Sequence, residues 1–292
     1  MHYRTQKDLK RDFPAEVASA TANGYLDLSG QKDIESLPER MNLEALNVSG
    51  CSNLRSIPSS LQAKHLIARD CPELEFIGGG IKLDDAWFGK CPKLTNLPQS
   101  FRVNVSLTIW ECPVENLPDG LDLTTDLTIG NNAAIRSLPS NLSAKKVSIT
   151  DCPIFEVVPS ETRVGRLSIV RSNAFRALPE NLDCPAGLTI AGCNNFTSLP
   201  NKLTVGQRFY LNCDNVRLEE TAGLNVDTLE ISGCPLIKTL PEDLVVKGSI
   251  IAERSHVEGI SWEVWDKNDG KIILPYTCEL PSPPSADCGP SL

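Results

Sequence analysis

"CPKLTNLP", residues 91–98, reads as a loop fragment until its variants are laid beside it. "CSNLRSIP" begins at Cys51, "CPVENLP" at Cys112, "CPIFEVVP" at Cys152, "CNNFTSLP" at Cys193 and "CPLIKTLP" at Cys234. Aligned on the apolar residue of this phrase, the chain runs Leu37, Ile57, Ile77, Leu97, Leu117, Leu138, Val158, Leu178, Leu199, an irregular Leu218, then Leu240 and Ile260. The steps are 20, 20, 20, 20, 21, 20, 20, 21, 19, 22 and 20 residues. A period this steady returns the backbone to the same angle after every unit, which is the signature of a stacked coil.

Inside each unit an alternating triplet precedes the cysteine: "ALNVSG" before Cys51, "SLTIWE" before Cys112, "KVSITD" before Cys152, "GLTIAG" before Cys193 and "TLEISG" before Cys234. Period-two alternation is a short strand with Leu and Ile inward, and one strand per unit makes a parallel stack. At ~4.8 Å per rung, about eleven rungs make a ladder of roughly 50 Å. The proline fixes φ and removes an N–H, which predicts an extended return segment that forms neither a helix nor a second ladder. The far side of the coil is then thin.

The cysteine stands where the chain turns inward and buried backbone groups need a compact partner at every rung. Residues 51, 71, 91, 112, 152, 193, 213 and 234 share this column, and Asn132 and Ser172 take the place where cysteine is missing. Asn and Ser suit a hydrogen-bonding ladder and not a disulfide network. The total of 11 cysteines is odd, no Cys-x-x-Cys pair occurs and the three histidines are scattered, so free thiols are expected, with no metal and no cofactor.

The pattern "LxxLxIxxCPxLxxLPxxL", over residues 24–262, resembles the short bacterial leucine-rich repeat of secreted effectors such as the Yersinia outer protein M-like and IpaH-like proteins. "LNVSGCSNLRSIPSSL" also looks like the repeats of plant immune receptors, whose units are usually longer. The resemblance implies an α/β repeat fold, a leucine-rich-repeat solenoid or horseshoe of about 11 units of 20–21 residues. Its parallel sheet would line the concave face and a thin extended segment the convex side. It further implies a protein-binding scaffold, held in the bacterial cytoplasm or secreted into a host cell. The related ubiquitin ligases carry a catalytic cysteine followed two residues later by aspartate. Here only "TCEL" at Cys278 and "DCGP" at Cys288 are present and neither matches. No enzyme activity is expected; the alternative is the substrate-recognition part of such a ligase without a working catalytic domain.

A net charge of −9 disfavours nucleic acid and anionic membrane, both of which need a basic face. "MHYRTQKDLKRDFPAEV" has no apolar core of signal-peptide length, and no apolar run is long enough to span a membrane. A monomer with a protein partner, a host protein if the chain is secreted, is the expectation. Residues 1–23 read as a helical cap, with Leu9, Phe13, Val17 and Ala20 on one face. Residues 263–278 read as a second cap, a hairpin turning at "KNDG" with Trp262 and Trp265 as lid residues. Residues 279–292, proline-rich, read as a disordered tail.

Outward residues of consecutive strands form columns, and rigid neighbours hold a binding surface in register. One column reads Asn47, Ile67, Trp87, Thr108, Thr128, Ser148, Ser168, Thr189, Tyr210, Glu230; the next begins Ser49, Arg69, Gly89, Trp110, Gly130. Ile67, Arg69, Trp87 and Trp110 are the main partner-binding candidates, because exposed Trp and Arg are what interface hot spots favour. Trp87 has two readings, since "FIGGGI" breaks the Leu-Pro phrase just before it: outward, or packed inward in a slipped unit. Lys146, Arg166 and Arg208 form a basic column suited to an acidic partner segment. Tyr210 stands beside it, and His65 occupies the same column.

Overall fold

The computed structural model of the chain describes residues 2–3, 5–180, 182–218, 221–268 and 271–282. Cys288, most of the proline-rich tail and the last two residues of "KNDG" lie outside the described residues. The chain forms a parallel β-solenoid of about twelve turns. Its principal sheet has 15 strands, in which each long strand pairs with the next turn of the coil. In sequence order the ladder includes Tyr25–Asp27, Ala45–Asn47, His65–Arg69, Lys82–Gly89, Arg102–Trp110, Asp122–Gly130, Ser143–Thr150, Arg163–Val170, Gly187–Ala191, Thr204–Asn212 and Asn225–Ile231. The registers are those the period dictates: Leu107 opposite Leu127, Leu127 opposite Val147, Val147 opposite Leu167.

Alternation fixes which side chains fill the interior. Leu107, Ile109, Leu127, Ile129, Val147, Ile149, Leu167 and Ile169 are all fully buried, two per rung. A further inward position three residues after the cysteine column holds Leu54, Leu74 and Leu94 early, then Phe155, Phe175 and Phe196. The last three rings stack along the axis, with centroids 6.0 Å and 5.5 Å apart. Each buried ring contributes roughly 1.5–3 kcal/mol by transfer from water.

The cysteine column is buried and its thiols are free. Cys51 Sγ donates to the Leu28 carbonyl at 3.1 Å and Cys71 Sγ to the Val48 carbonyl at 3.2 Å. These two thiols thus each satisfy an oxygen of the preceding turn. Asn132 is fully buried in the same column. Its Nδ2 donates to Val114 O (3.0 Å), and its Oδ1 accepts from the N–H groups of Ala134 and Ile135, both at 2.8 Å. Ser172 Oγ donates to Val170 O at 3.3 Å. Burial penalises the thiolate and pushes Cys51, Cys152 and Cys234 up to about 11 and Cys184 up to about 12.

Two expectations need correction. The return side does carry a second, thin ladder: Ser56–Ile57 pairs with Phe76–Ile77, and single bridges join Asn96 to Asn116 and Ser137 to Val157. Proline lacks its own N–H, but the residues just before it keep theirs, and stacking brings them to the carbonyl one period back. Arg55 N–H donates to Glu35 O and Glu75 N–H to Arg55 O, at 3.1 and 3.0 Å. Where Gly78 stands in the proline's place, its own N–H joins in, donating to Ile57 O at 2.8 Å.

The second correction is at the C-terminal end. Trp262–Lys267 is a short helix started by Ser261, whose Oγ accepts from Val264 N–H at 3.4 Å. Ile272–Ile273 then joins the main sheet in parallel with Ile250–Ile251, so the described residues form no antiparallel hairpin here. The sheet therefore continues past residue 262, and Glu279 of the expected tail bridges Gly259. Trp265 packs against the core. Two helices precede the first strand, α1 Gln6–Asp12 and α2 Pro14–Asn23. Thr5 and Asp8 form a capping box on α1, and Pro14, unable to donate, begins α2. Leu9 is 2% exposed, and Phe13, Val17 and Ala20 pack against the core beside it. Among the described residues no helix is long and apolar enough to cross a membrane.

Candidate recognition surface

The outward column is continuous. Asn47 pairs with Ile67, Ile67 with Trp87, Trp87 with Thr108, and the series runs on to Thr189, Tyr210 and Glu230. Trp87 points outward and is 42% exposed, while Ala86 and Phe88 beside it are buried. The slipped reading of this unit is excluded, because Asp85, Ala86, Trp87 and Phe88 keep register with both neighbouring strands.

Arg69 and Trp87 meet diagonally. The Arg69 guanidinium carbon lies 4.6 Å from the Trp87 ring centroid, a cation–π geometry that holds two long side chains in one place. Gly89 lies directly opposite Arg69, and a Cβ there would stand in ordinary contact, 3.5 Å from Arg69 Cγ and 3.7 Å from Trp87 Nε1. Two rungs on, a glycine is required. Trp110 reclines across Gly130, where an added Cβ would come within 2.1 Å of Trp110 Cζ3. Trp110 Nε1 donates to Glu111 Oε1 at 3.0 Å. The column thus alternates Arg69, Gly89, Trp110, Gly130. Exposed Arg69 and Trp87 form one cluster with half-buried Ile67, and Trp110 on the adjoining rung is half-buried too.

The basic residues gather further along the same face. Lys146 and Arg166 are side by side, and both are exposed. Arg166 Nε donates to Ala186 O at 2.8 Å and Nη2 to Gln207 Oε1 at 3.1 Å. Arg208 pairs with Glu230, and its guanidinium carbon sits 5.7 Å from the centroid of half-buried Tyr210. Earlier in this column His65 Nδ1 lies 2.9 Å from Asp85 Oδ2, and Ser106 Oγ donates to Asp85 Oδ1 at 2.5 Å. The carboxylate stands between the other two, so the hydroxyl donates to it and not to the imidazole. Cys278 is half-buried, and desolvation with nearby Glu279 pushes its thiol up, opposite to an activated nucleophile.

A feature the sequence reading missed is a row of left-handed residues one place before the cysteine column. Asp70, Lys90, Glu111, Asn131, Asp151 and Arg171 have φ between 47° and 54°, where Gly30, Gly50, Gly192 and Gly233 serve on other rungs. Non-glycine residues in this region cost roughly 1–2 kcal/mol each. Six successive rungs therefore keep polar side chains along the edge of the Trp87–Trp110 region at the expense of backbone strain. The glycines at 30, 50, 192 and 233 were the available signal. Comparison with protein-family models and with curated proteins finds no match.

Proposed function

We propose that the chain is a protein-recognition scaffold of the short bacterial leucine-rich-repeat type, a monomeric horseshoe that binds a protein partner on its concave face. In this reading α1 and α2 close the N-terminal end of the stack, and the chain acts as an effector-like protein in bacterial or host cytoplasm. The observation that carries it is the cluster of exposed Arg69 and Trp87 with half-buried Ile67 opposite, preorganised by the stacked guanidinium. Large aromatic and Arg side chains held in place lose little entropy on binding and dominate interface energies. The surrounding Thr108, Thr128, Ser148 and Ser168 are small and half-buried, which leaves the cluster standing above its neighbours.

The test is affinity capture from bacterial and eukaryotic lysates with the wild-type chain beside Trp110→Glu, folding of the variant being checked by circular dichroism. A protein retained by the wild type and lost by the variant supports the reading. Identical retention by both removes the aromatic region from it.

A further inference from the structure

Beyond Trp110 the outward face changes chemistry. Lys146 and Arg166 are neighbours on consecutive strands, with Asp126 one rung earlier in the same column. Lys146 makes no ion pair or side-chain hydrogen bond among the described residues. Arg166 is fixed by two neutral acceptors, Ala186 O and Gln207 Oε1, so its plane is set while its charge stays uncompensated. The next position is Gly187, at φ 123°, where a Cβ would come within 2.9 Å of the Arg208 carbonyl oxygen. Beside it lies a hollow of about 380 Å³ lined by Arg166, Leu188, Thr189, Arg208 and Tyr210. On a chain of net charge −9, two adjacent cations that make no ion pair among the described residues, beside a hollow, mark a basic spot with only Asp126 as a neighbouring carboxylate in the column.

We propose that this hollow docks the carboxylates of an acidic, extended segment of a partner protein that runs along the ladder axis. Arg166 offers its remaining N–H groups and Lys146 its ammonium to one carboxylate, a charge-assisted arrangement. A second carboxylate meets Arg208, where it competes with Glu230, so the Lys146–Arg166 end carries more of the affinity. Lys146 and Arg208 are three rungs apart, ~14 Å at ~4.8 Å per rung, and side chains four apart on an extended chain are separated by ~13 Å on one face. The preferred segment thus carries acidic residues four positions apart. The inference rests on the outward face being a protein-recognition surface and adds the chemistry of what it recognises.

The probe is a fluorescein-labelled peptide with glutamates four positions apart in a glycine-serine background, with a glutamine counterpart as control. Binding is read by anisotropy at low and at physiological salt. The wild-type chain is expected to bind the glutamate peptide more tightly than the glutamine one, and more weakly as salt rises. Arg166→Gln is expected to weaken binding about tenfold, and Lys146→Gln several-fold. Lys7→Gln on α1 should leave it unchanged. Should Arg166→Gln fail to fold, Lys146→Gln carries the test, because that side chain has no partner to lose. Equal affinity for the two peptides, or an equal loss in Lys7→Gln, overturns the proposal. Acidic-peptide binding that survives while the aromatic variants leave partner capture intact sinks the aromatic reading instead, so the two failures are distinguishable.

Discussion

The guanidinium of Arg69 covers the indole of Trp87 from one rung away, 4.6 Å from the ring centroid. The pair is exposed, so its cation–π energy is on the order of 0.5–1 kcal/mol, and its main effect is to hold the indole in one orientation. Arg69→Ala should lower stability by less than about 1 kcal/mol while shortening the rotational correlation time of Trp87. Time-resolved fluorescence anisotropy, with the other tryptophans replaced, reads this; unchanged indole motion would mean the stacking restrains nothing.

Trp110 depends on what is missing at Gly130. Gly130→Ala places a methyl group within 2.1 Å of the ring, so the indole must lift and release Glu111. Overpacking of this kind costs typically 1–3 kcal/mol. The expected readout is a lower urea midpoint together with a red-shifted Trp110 emission; a neutral substitution would contradict the reclining geometry.

The turn before each cysteine makes an opposite pair of predictions. Lys90, at φ 52°, should tolerate glycine with a gain of about 0.5–1 kcal/mol. Gly50→Ala should lose about 1 kcal/mol or more, since Gly50 has φ 73° and its added Cβ would lie 3.3 Å from Gly30 Cα. Chemical denaturation of the two variants checks both signs.

Much of this architecture is legible in the sequence because one period governs every unit. The strand positions, the inward Leu and Ile, the buried thiol column and the outward series from Asn47 to Glu230 all follow from a 20-residue repeat plus two-residue alternation. Trp87 was ambiguous, since "FIGGGI" interrupts the phrase, and register with both neighbouring strands resolves it outward. The return-side ladder was not legible: proline argues against pairing at its own position, yet the donors lie just before it. Trp262–Lys267 was misread because its apolar residues fit either period, and the Ser261 cap decides for helix. The left-handed row hides behind polar residues of five different kinds, and the glycines that reveal it are a minority of the rungs.

Asn132 offers a test of the polar column. It satisfies Val114 O and the N–H groups of Ala134 and Ile135 inside a fully buried site. Asn132→Ala orphans all three groups and should cost about 2–4 kcal/mol. Asn132→Cys, matching the neighbouring rungs, should cost less; the reverse ranking in urea denaturation would contradict the column's role.

The thiols set an alkaline limit. The folded-state values of Cys51, Cys152 and Cys234 are raised to about 11 from an ordinary 9.0. The folded chain therefore holds these protons more tightly than the unfolded chain, and above pH 9 stability falls as pH rises. This contribution is complete below pH 9 and lost as pH passes 11, on the order of 2 kcal/mol per thiol. The urea midpoint should be insensitive to these groups at neutral pH and drop between pH 9 and 11, less steeply in Cys152→Ala. A midpoint that stays level across this window would show that the thiols ionise alike in both states.

The central claim is that the partner binds the outward face of the main sheet at Trp87. The direct measurement is the affinity of a captured partner for three chains: wild type, Trp87→Ala and Phe76→Ala. Phe76 is 60% exposed on the return-side ladder and matches Trp87 as an exposed aromatic. The account predicts a loss of tenfold or more, over about 1.4 kcal/mol, for Trp87→Ala and little change for Phe76→Ala. Loss confined to Phe76→Ala, or a partner indifferent to both, would contradict it.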